Sequence, residues 1–355
     1  MASSPVNSQQ AEGSSAVARY LRQVLQDCGE DTSGSLAADL PAPGSTDPAL
    51  HALALVTPDG AEYSAGDNEH LFTMQSISKP FVYALAIDDV GLDRINEVVG
   101  QEPSGEAFNE LSLEGGTGRP LNPMINAGAL VTHQLVDYRD HRSHEGDDQH
   151  DGDGQEPSSA EQARRRSARI LAGLSAFAAR QLQVDQELAE HGARQDYRNL
   201  AIANMLKSHQ VLAREPLEVL HGYSEQCSVL VTVQDIARMA ATLANHGLNP
   251  DTGQRVVSDH AARQTLSVMA TCGMYDGSGR WLAQIGIPAK SGISGGIIGV
   301  LPGRMGLASF APRLDEEGNS VQGVEMFQRL SHDLDFHLMA RERRNVTEIL
   351  QSFPQ

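Results

Sequence analysis

Lysine is nearly absent from this chain. Only Lys79, Lys207 and Lys290 occur in 355 residues, and arginine supplies almost all the remaining positive charge. Arginine stays protonated inside a protein, whereas a buried lysine can lose its proton, so a retained lysine is a candidate base. Aromatic residues are also scarce, at 5%, with Trp281 the single tryptophan. A hydrophobic content of 40% still allows a substantial core, packed mostly by small aliphatic side chains, alanine and glycine. The formal charge of −19 argues against a nucleic-acid or anionic-membrane partner, since both need a basic surface, although a local pocket can still take a charged small molecule.

Cysteine is equally sparse. Cys28, Cys227 and Cys272 are odd in number and widely spaced, which predicts reduced thiols rather than a disulfide framework. No Cys/His cluster has zinc spacing, and no metal or organic cofactor is expected. His141, His144 and His150 lie in an acidic, low-complexity stretch that reads as solvated loop. The start Met1-Ala2-Ser3-Ser4-Pro5 lacks the basic and apolar regions of a secretion signal, and no run of about 18 apolar residues occurs. These absences predict a soluble, cytoplasmic protein.

Residues 1–15 read as a disordered tail, followed by one two-lobed domain over 16–355. Val17 to Leu25 is amphipathic at helical spacing, and a hairpin follows, with strands at 51–56 and 61–65 around Pro58-Asp59-Gly60. Residues 76–90 read as a helix stopped by Gly91. After a disordered acidic insertion at about 140–160, helical patterns return at 168–182, 201–212, 233–246 (entered through Thr232 and Asp235) and 259–271. Short Gly-punctuated apolar runs at 281–287, 296–301 and 305–310 read as strands, before a closing helix over 321–337. The order predicts an α+β fold: an antiparallel sheet flanked by helices, built from about 16–75 and 280–355, plus an all-helical lobe from about 76–279.

Two motifs carry chemistry. Ser76 and Lys79 form a Ser-x-x-Lys tetrad at i and i+3, so both side chains share a face at the start of a helix. There the helix dipole disfavours an ammonium, and free backbone N–H groups can meet an oxyanion. The competing reading makes Ser76 a helix cap and Lys79 surface charge. Lys290-Ser291-Gly292 has the form of the triplet that flanks the nucleophile in penicillin-recognising enzymes. Together the motifs point to serine acyl transfer. Elsewhere, Asn126 could cap a helix beginning at Ala127, Tyr223 and Tyr275 follow the pattern of buried structural tyrosines, and Cys227 and Cys272 read as small buried hydrophobes.

Six segments together resemble the serine-dependent glutaminases: 75–79 (Gln-Ser-Ile-Ser-Lys), 102–105 (Glu-Pro-Ser-Gly), 122–129 (Asn-Pro-Met-Ile-Asn-Ala-Gly-Ala), 240–245 (Ala-Ala-Thr-Leu-Ala-Asn), 272–276 (Cys-Gly-Met-Tyr-Asp) and 288–292 (Pro-Ala-Lys-Ser-Gly). The likeness runs from about Gly34 to Phe336. It implies a β-lactamase/transpeptidase-like fold, hydrolysis of L-glutamine to L-glutamate and ammonia without cofactor, and a homodimer or homotetramer. It also implies Ser76 as nucleophile, Lys79 as its base and Tyr275 as proton relay and substrate contact. Asn126, Asn199 and Tyr223 would bind substrate, and the Ile293 N–H would join that of Ser76 at the oxyanion. Two departures touch recognition of the amino-acid head. Asp39 replaces a tyrosine of the family, and the segment before Arg198-Asn199 carries two extra residues, which makes Glu190 the candidate for the substrate ammonium. These departures keep a catalytically weak glutamine-binding protein in view, and Tyr197-Arg198-Asn199 keeps in view a β-lactamase or D-alanyl peptidase.

Overall fold

The computed structural model describes residues 6–37, 40, 47–105, 110, 112–137 and 158–340. Asp39, the three histidines and most of the acidic stretch lie outside the described residues. In chain order the elements begin with α1 (Val6–Cys28), the hairpin β1 (Ala52–Val56) and β2 (Glu62–Gly66), and β3 (Phe72–Thr73). Then come α2 (Ser78–Val90), α3 (Leu92–Val98), α4 (Asn126–Leu135), α5 (Ser159–Ala178), β4 (Gln183–Val184), α6 (Gln186–Gln195), α7 (Tyr197–Ser208) and α8 (Pro216–Cys227). The chain continues through β5 (Val229–Val231), α9 (Val233–Ala244), α10 (Asp259–Cys272), α11 (Ser278–Gln284), β6 (Ala289–Ser291), β7 (Gly296–Leu301), β8 (Met305–Phe310) and α12 (Val321–Leu334).

The main sheet is antiparallel throughout, in the order β2-β1-β8-β7-β6. Strand β1 of the first hairpin therefore pairs with β8, some 250 residues later, with Leu55 opposite both Tyr63 and Leu307. Both faces of the sheet are covered, so alternate residues enter different cores. Ala52, Ala54, Val56, Ile298 and Ala308 join one core with residues of α2, α5 and α9. Leu53, Leu55, Ile297 and Leu307 join the other, with Leu21 of α1 and Phe327 and Leu330 of α12. Each fully buried Leu, Ile or Phe contributes about 1.5–3 kcal/mol. The shortage of aromatics is met as composition suggested: Ala237, Ala240, Ala241 and Ala244 of α9 let the helix lie close against the sheet. Thr232 and Asp235 close a full capping box at its start.

The structure differs from the sequence reading at three places. The run 281–287 is not a strand. Ser278–Gln284 is helical, because Trp281 and Ile285, four residues apart, enter the same core and Gly286, at φ 69°, ends the turn. Helix α1 starts at Val6, inside the segment read as a tail, where Gln9, Gln10, Ala11 and Glu12 favour helix continuation. A second sheet, β3-β5-β4, is too short for a sequence pattern to reveal. It ties the approach to Ser76 to the end of α8, with Met74 N–H donating to Val229 O at 2.9 Å.

Candidate active site

Strand β3 runs into Gln75–Ile77, one turn of 3-10 helix that passes directly into α2. Ser76 lies in this turn and is buried. Gln75 holds φ at 48°, a left-handed conformation that costs a residue with a Cβ about 1–2 kcal/mol. Such strain persists only where surrounding structure enforces it, and it gathers at functional sites.

Lys79 is wholly buried on the first turn of α2. Its Nζ donates to Asn126 Oδ1 at 2.6 Å and to Met124 O at 3.2 Å. Both acceptors are neutral, and no carboxylate lies within ion-pair distance among the described residues. Desolvation therefore lowers the ammonium pKa to about 8, partly opposed by the nearby Cys227 thiol. Asn126 does not act as a cap. It is the first residue of α4, behind Ile125, and its amide is committed to Lys79 and, through Nδ2, to Asn199 Oδ1 at 3.0 Å.

Tyr275 and Lys290 arrive from the other side. A Cβ on Gly273 would sit 1.7 Å from Ala289 O, so only glycine lets the end of α10 meet β6 this closely. Tyr275, just beyond, also has a positive φ of 53°. Its hydroxyl donates to Ser291 O at 3.2 Å, and burial raises its pKa to about 12 against the opposing influence of Ser291 and Ser76. Lys290 Nζ lies 4.0 Å from the centre of the Tyr275 ring and donates to Ser291 O at 2.8 Å. Complete burial, reinforced by repulsion from Lys79, pushes the Lys290 pKa well down. Ile293 follows in a tight turn closed by Gly292 N–H to Gly296 O at 2.9 Å. A Cβ on Gly292 would lie 3.0 Å from Met74 O and 3.5 Å from Gln75 Cβ, so this turn packs against the backbone that carries Ser76.

The remaining groups come from α7 and α8. Asp196 caps α7: one carboxylate oxygen accepts from Asn199 N–H at 2.9 Å and the other from Asn199 Nδ2 at 2.5 Å. Tyr223, Gln226 and Cys227 share one face of α8 at i, i+3 and i+4. Burial drives the Tyr223 pKa well up, and Cys227, Asp196 and Tyr275 act on it too, which places these groups in one neighbourhood. The Cys227 pKa rises to about 11, chiefly by burial. A cavity of about 210 Å³ adjoins the site at Tyr275 and is lined also by Met124, Asn122, Cys272 and Asp276, but not by Ser76 or Lys79. That is the scale of one amino acid, below the range of about 300–1,000 Å³ for larger ligands.

Ser76, Lys79, Asn126, Asn199, Tyr223, Tyr275 and the turn bearing Ile293 thus converge. Glu190 does not join them: its carboxylate is 65% exposed and pairs with Arg194 at 3.0 Å. Asp196, bonded to Asn199, is an acid beside the site that sequence reading missed. Its signal was available, because Ala189, Gly192, Ala193 and Asp196 recur at i, i+3, i+4 and i+7, whereas Glu190 points about 100° away. Among the described residues no group of three or more His, Cys, Asp or Glu side chains is arranged to hold a metal ion. No helix among them is long and apolar enough to cross a membrane.

The chain matches the glutaminase family model over residues 34–339. A protein named Glutaminase from Corynebacterium efficiens is 47% identical over 326 residues, covering 92% of this chain and 72% of that protein. Another of the same name from Clavibacter michiganensis is 45% identical, covering 89% of this chain and 90% of the relative. Among solved structures, Mglu in its native form superposes with a TM-score of 0.82 at 45% identity, covering 92% of this chain and 74% of Mglu. The probable glutaminase ybaS reaches 0.82 at 33% identity, covering 92% and 98%. The antiparallel sheet and its flanking helices are the architecture of these relatives, and the chain belongs to the glutaminase family.

Proposed function

We propose that this protein hydrolyses L-glutamine to L-glutamate and ammonia through an acyl-enzyme on Ser76. The observation that carries the mechanism is Lys79: a fully buried amine held by two neutral oxygens, one helical turn from a buried serine. With a pKa near 8, about a tenth of Lys79 is neutral at pH 7, compared with well under a thousandth for an ordinary lysine. The neutral amine takes the proton as Ser76 Oγ attacks the side-chain amide carbon. The oxyanion is met by the N–H groups of Ser76 and Ile293. As the C–N bond breaks, ammonia leaves with a proton delivered from Lys79 through Tyr275. Water then attacks the γ-glutamyl ester, giving a proton back along the same path and releasing glutamate and free Ser76.

Recognition of the amino-acid head falls to Asn126, Asn199, Tyr223 and Asp196. Asp196 takes the ammonium role considered above for Glu190, because its carboxylate is anchored at Asn199 while Glu190 is paired in solvent. Lys290 lies behind Tyr275 and donates to Ser291 O, with burial disfavouring its ammonium form. The Mglu relative has been solved in a glutamate form, which supports a glutamate-sized pocket in this fold. Free Cys28, Cys227 and Cys272 support a cytoplasmic setting, and assembly from like copies follows from the family resemblance. The test is Ser76→Ala, assayed by ammonia release from glutamine. Loss of turnover with the fold intact is expected, and turnover that survives the change overturns the nucleophile assignment.

A further inference from the structure

Three buried side chains behind the nucleophile take no part in the chemistry above: Ser78, Gln226 and His133. They form one hydrogen-bonded line. Ser78 Oγ donates to Gln75 O at 2.7 Å, Gln226 Nε2 donates to Ser78 Oγ at 3.0 Å, and His133 Nδ1 lies 2.9 Å from Gln226 Oε1. All three are 2% exposed or less. The line ends on the carbonyl of Gln75, the left-handed residue that immediately precedes Ser76.

We propose that His133, Gln226 and Ser78 are positioning residues that hold the strained Gln75–Ser76 turn in its reactive form. The direction of every bond is fixed by chemistry. A carbonyl can only accept, so the Ser78 hydroxyl donates to Gln75. Ser78 oxygen then accepts from the Gln226 amide, which leaves the amide oxygen facing His133. His133 must therefore carry its proton on Nδ1. Burial, with Arg166 nearby, lowers its pKa to about 3, so the ring stays neutral throughout the working range and the line does not reverse with pH. The anchoring is economical in sequence, because Asn126 and His133 lie seven residues apart on one face of α4. One helix therefore holds Lys79 at one end and, through α8, the serine turn at the other. Without the Ser78 hydroxyl bond, Gln75 O retains the Ser78 N–H but loses the side-chain tether.

This inference rests on Ser76 being the nucleophile, and its test separates the two. Gln226→Met keeps volume without donor or acceptor, His133→Leu removes the terminal donor, and His133→Asn keeps an N–H near the Nδ1 position. In the full-length enzyme, Gln226→Met and His133→Leu should lower kcat about 10- to 100-fold with KM nearly unchanged, the loss expected for a sub-ångström misplacement. His133→Asn should restore most of the activity lost in His133→Leu, and the pH limb set by Lys79 should not move in any of them. Equal loss in His133→Asn and His133→Leu, or loss confined to KM, overturns the proposal. Nitrogen-15 NMR of wild-type histidines provides a readout independent of activity and of variant folding. The His133 ring should be neutral with the proton on Nδ1, and a proton on Nε2 contradicts the relay even if Ser76 proves to be the nucleophile.

Discussion

Asn126→Asp replaces the neutral oxygen 2.6 Å from Lys79 Nζ with a carboxylate. An opposite charge at that distance raises a lysine pKa by about 1–3 units, each worth about 1.4 kcal/mol. Lys79 starts at about 8 and acts only when neutral, so activity rises with pH through its pKa, and raising that pKa moves the rising limb to higher pH. The limb of kcat/KM should shift from near pH 8 to roughly pH 9–11, and the neutral fraction at pH 7 should fall about 10- to 1,000-fold. Asn126 also donates to Asn199, so the variant should show an added rise in KM that does not depend on pH. The assay is initial-rate ammonia release over roughly pH 6 to 11, with circular dichroism to define the stable range. A profile that drops in parallel at every pH, with its limb unmoved, would show that Lys79 is not the titrating base.

Asp196→Asn should raise KM for glutamine about 10- to 100-fold, the loss of a charge-assisted contact, whereas Glu190→Ala should change neither constant beyond about twofold because its ion pair with Arg194 lies in solvent. Steady-state kinetics on the two variants decides between the acids, and the opposite ranking returns the ammonium to Glu190. Gly273→Ala should abolish activity and lower the melting temperature, since its methyl would meet Ala289 O at 1.7 Å; unchanged activity would mean that the α10–β6 contact does not set the site. Thr232→Ala should cost about 1 kcal/mol in denaturant unfolding through loss of the α9 capping box, with kcat unaffected.

Features that are local in sequence were legible there. The first hairpin, helix α2 with its Gly91 stop, the Thr232 cap and the strands β7 and β8 each follow from turn chemistry or periodicity within about ten residues. The two lysine motifs were legible for a different reason. Each needs a titratable amine beside small residues, and in a lysine-poor chain Lys79 and Lys290 stand out. The run 281–287 failed because a seven-residue apolar stretch fits either period, and only the pairing of Trp281 with Ile285 in the core decides between them. Glu190, picked by its spacing to Asn199, falls on the solvent side, because spacing says nothing about which side of α6 a carboxylate occupies. The line from His133 to Gln75 had no sequence signature at all, since His133 and Gln226 are 93 residues apart and meet only through packing of α4 on α8.

The most direct test of a covalent intermediate on Ser76 is partitioning with hydroxylamine. If glutamine and a γ-glutamyl ester both pass through the same Ser76 acyl-enzyme, the ratio of γ-glutamyl hydroxamate to glutamate must be identical for the two substrates at a given hydroxylamine concentration, and both products must vanish in Ser76→Ala. A ratio that changes with the leaving group, or hydroxamate formed without Ser76, would contradict an acyl-enzyme on that serine.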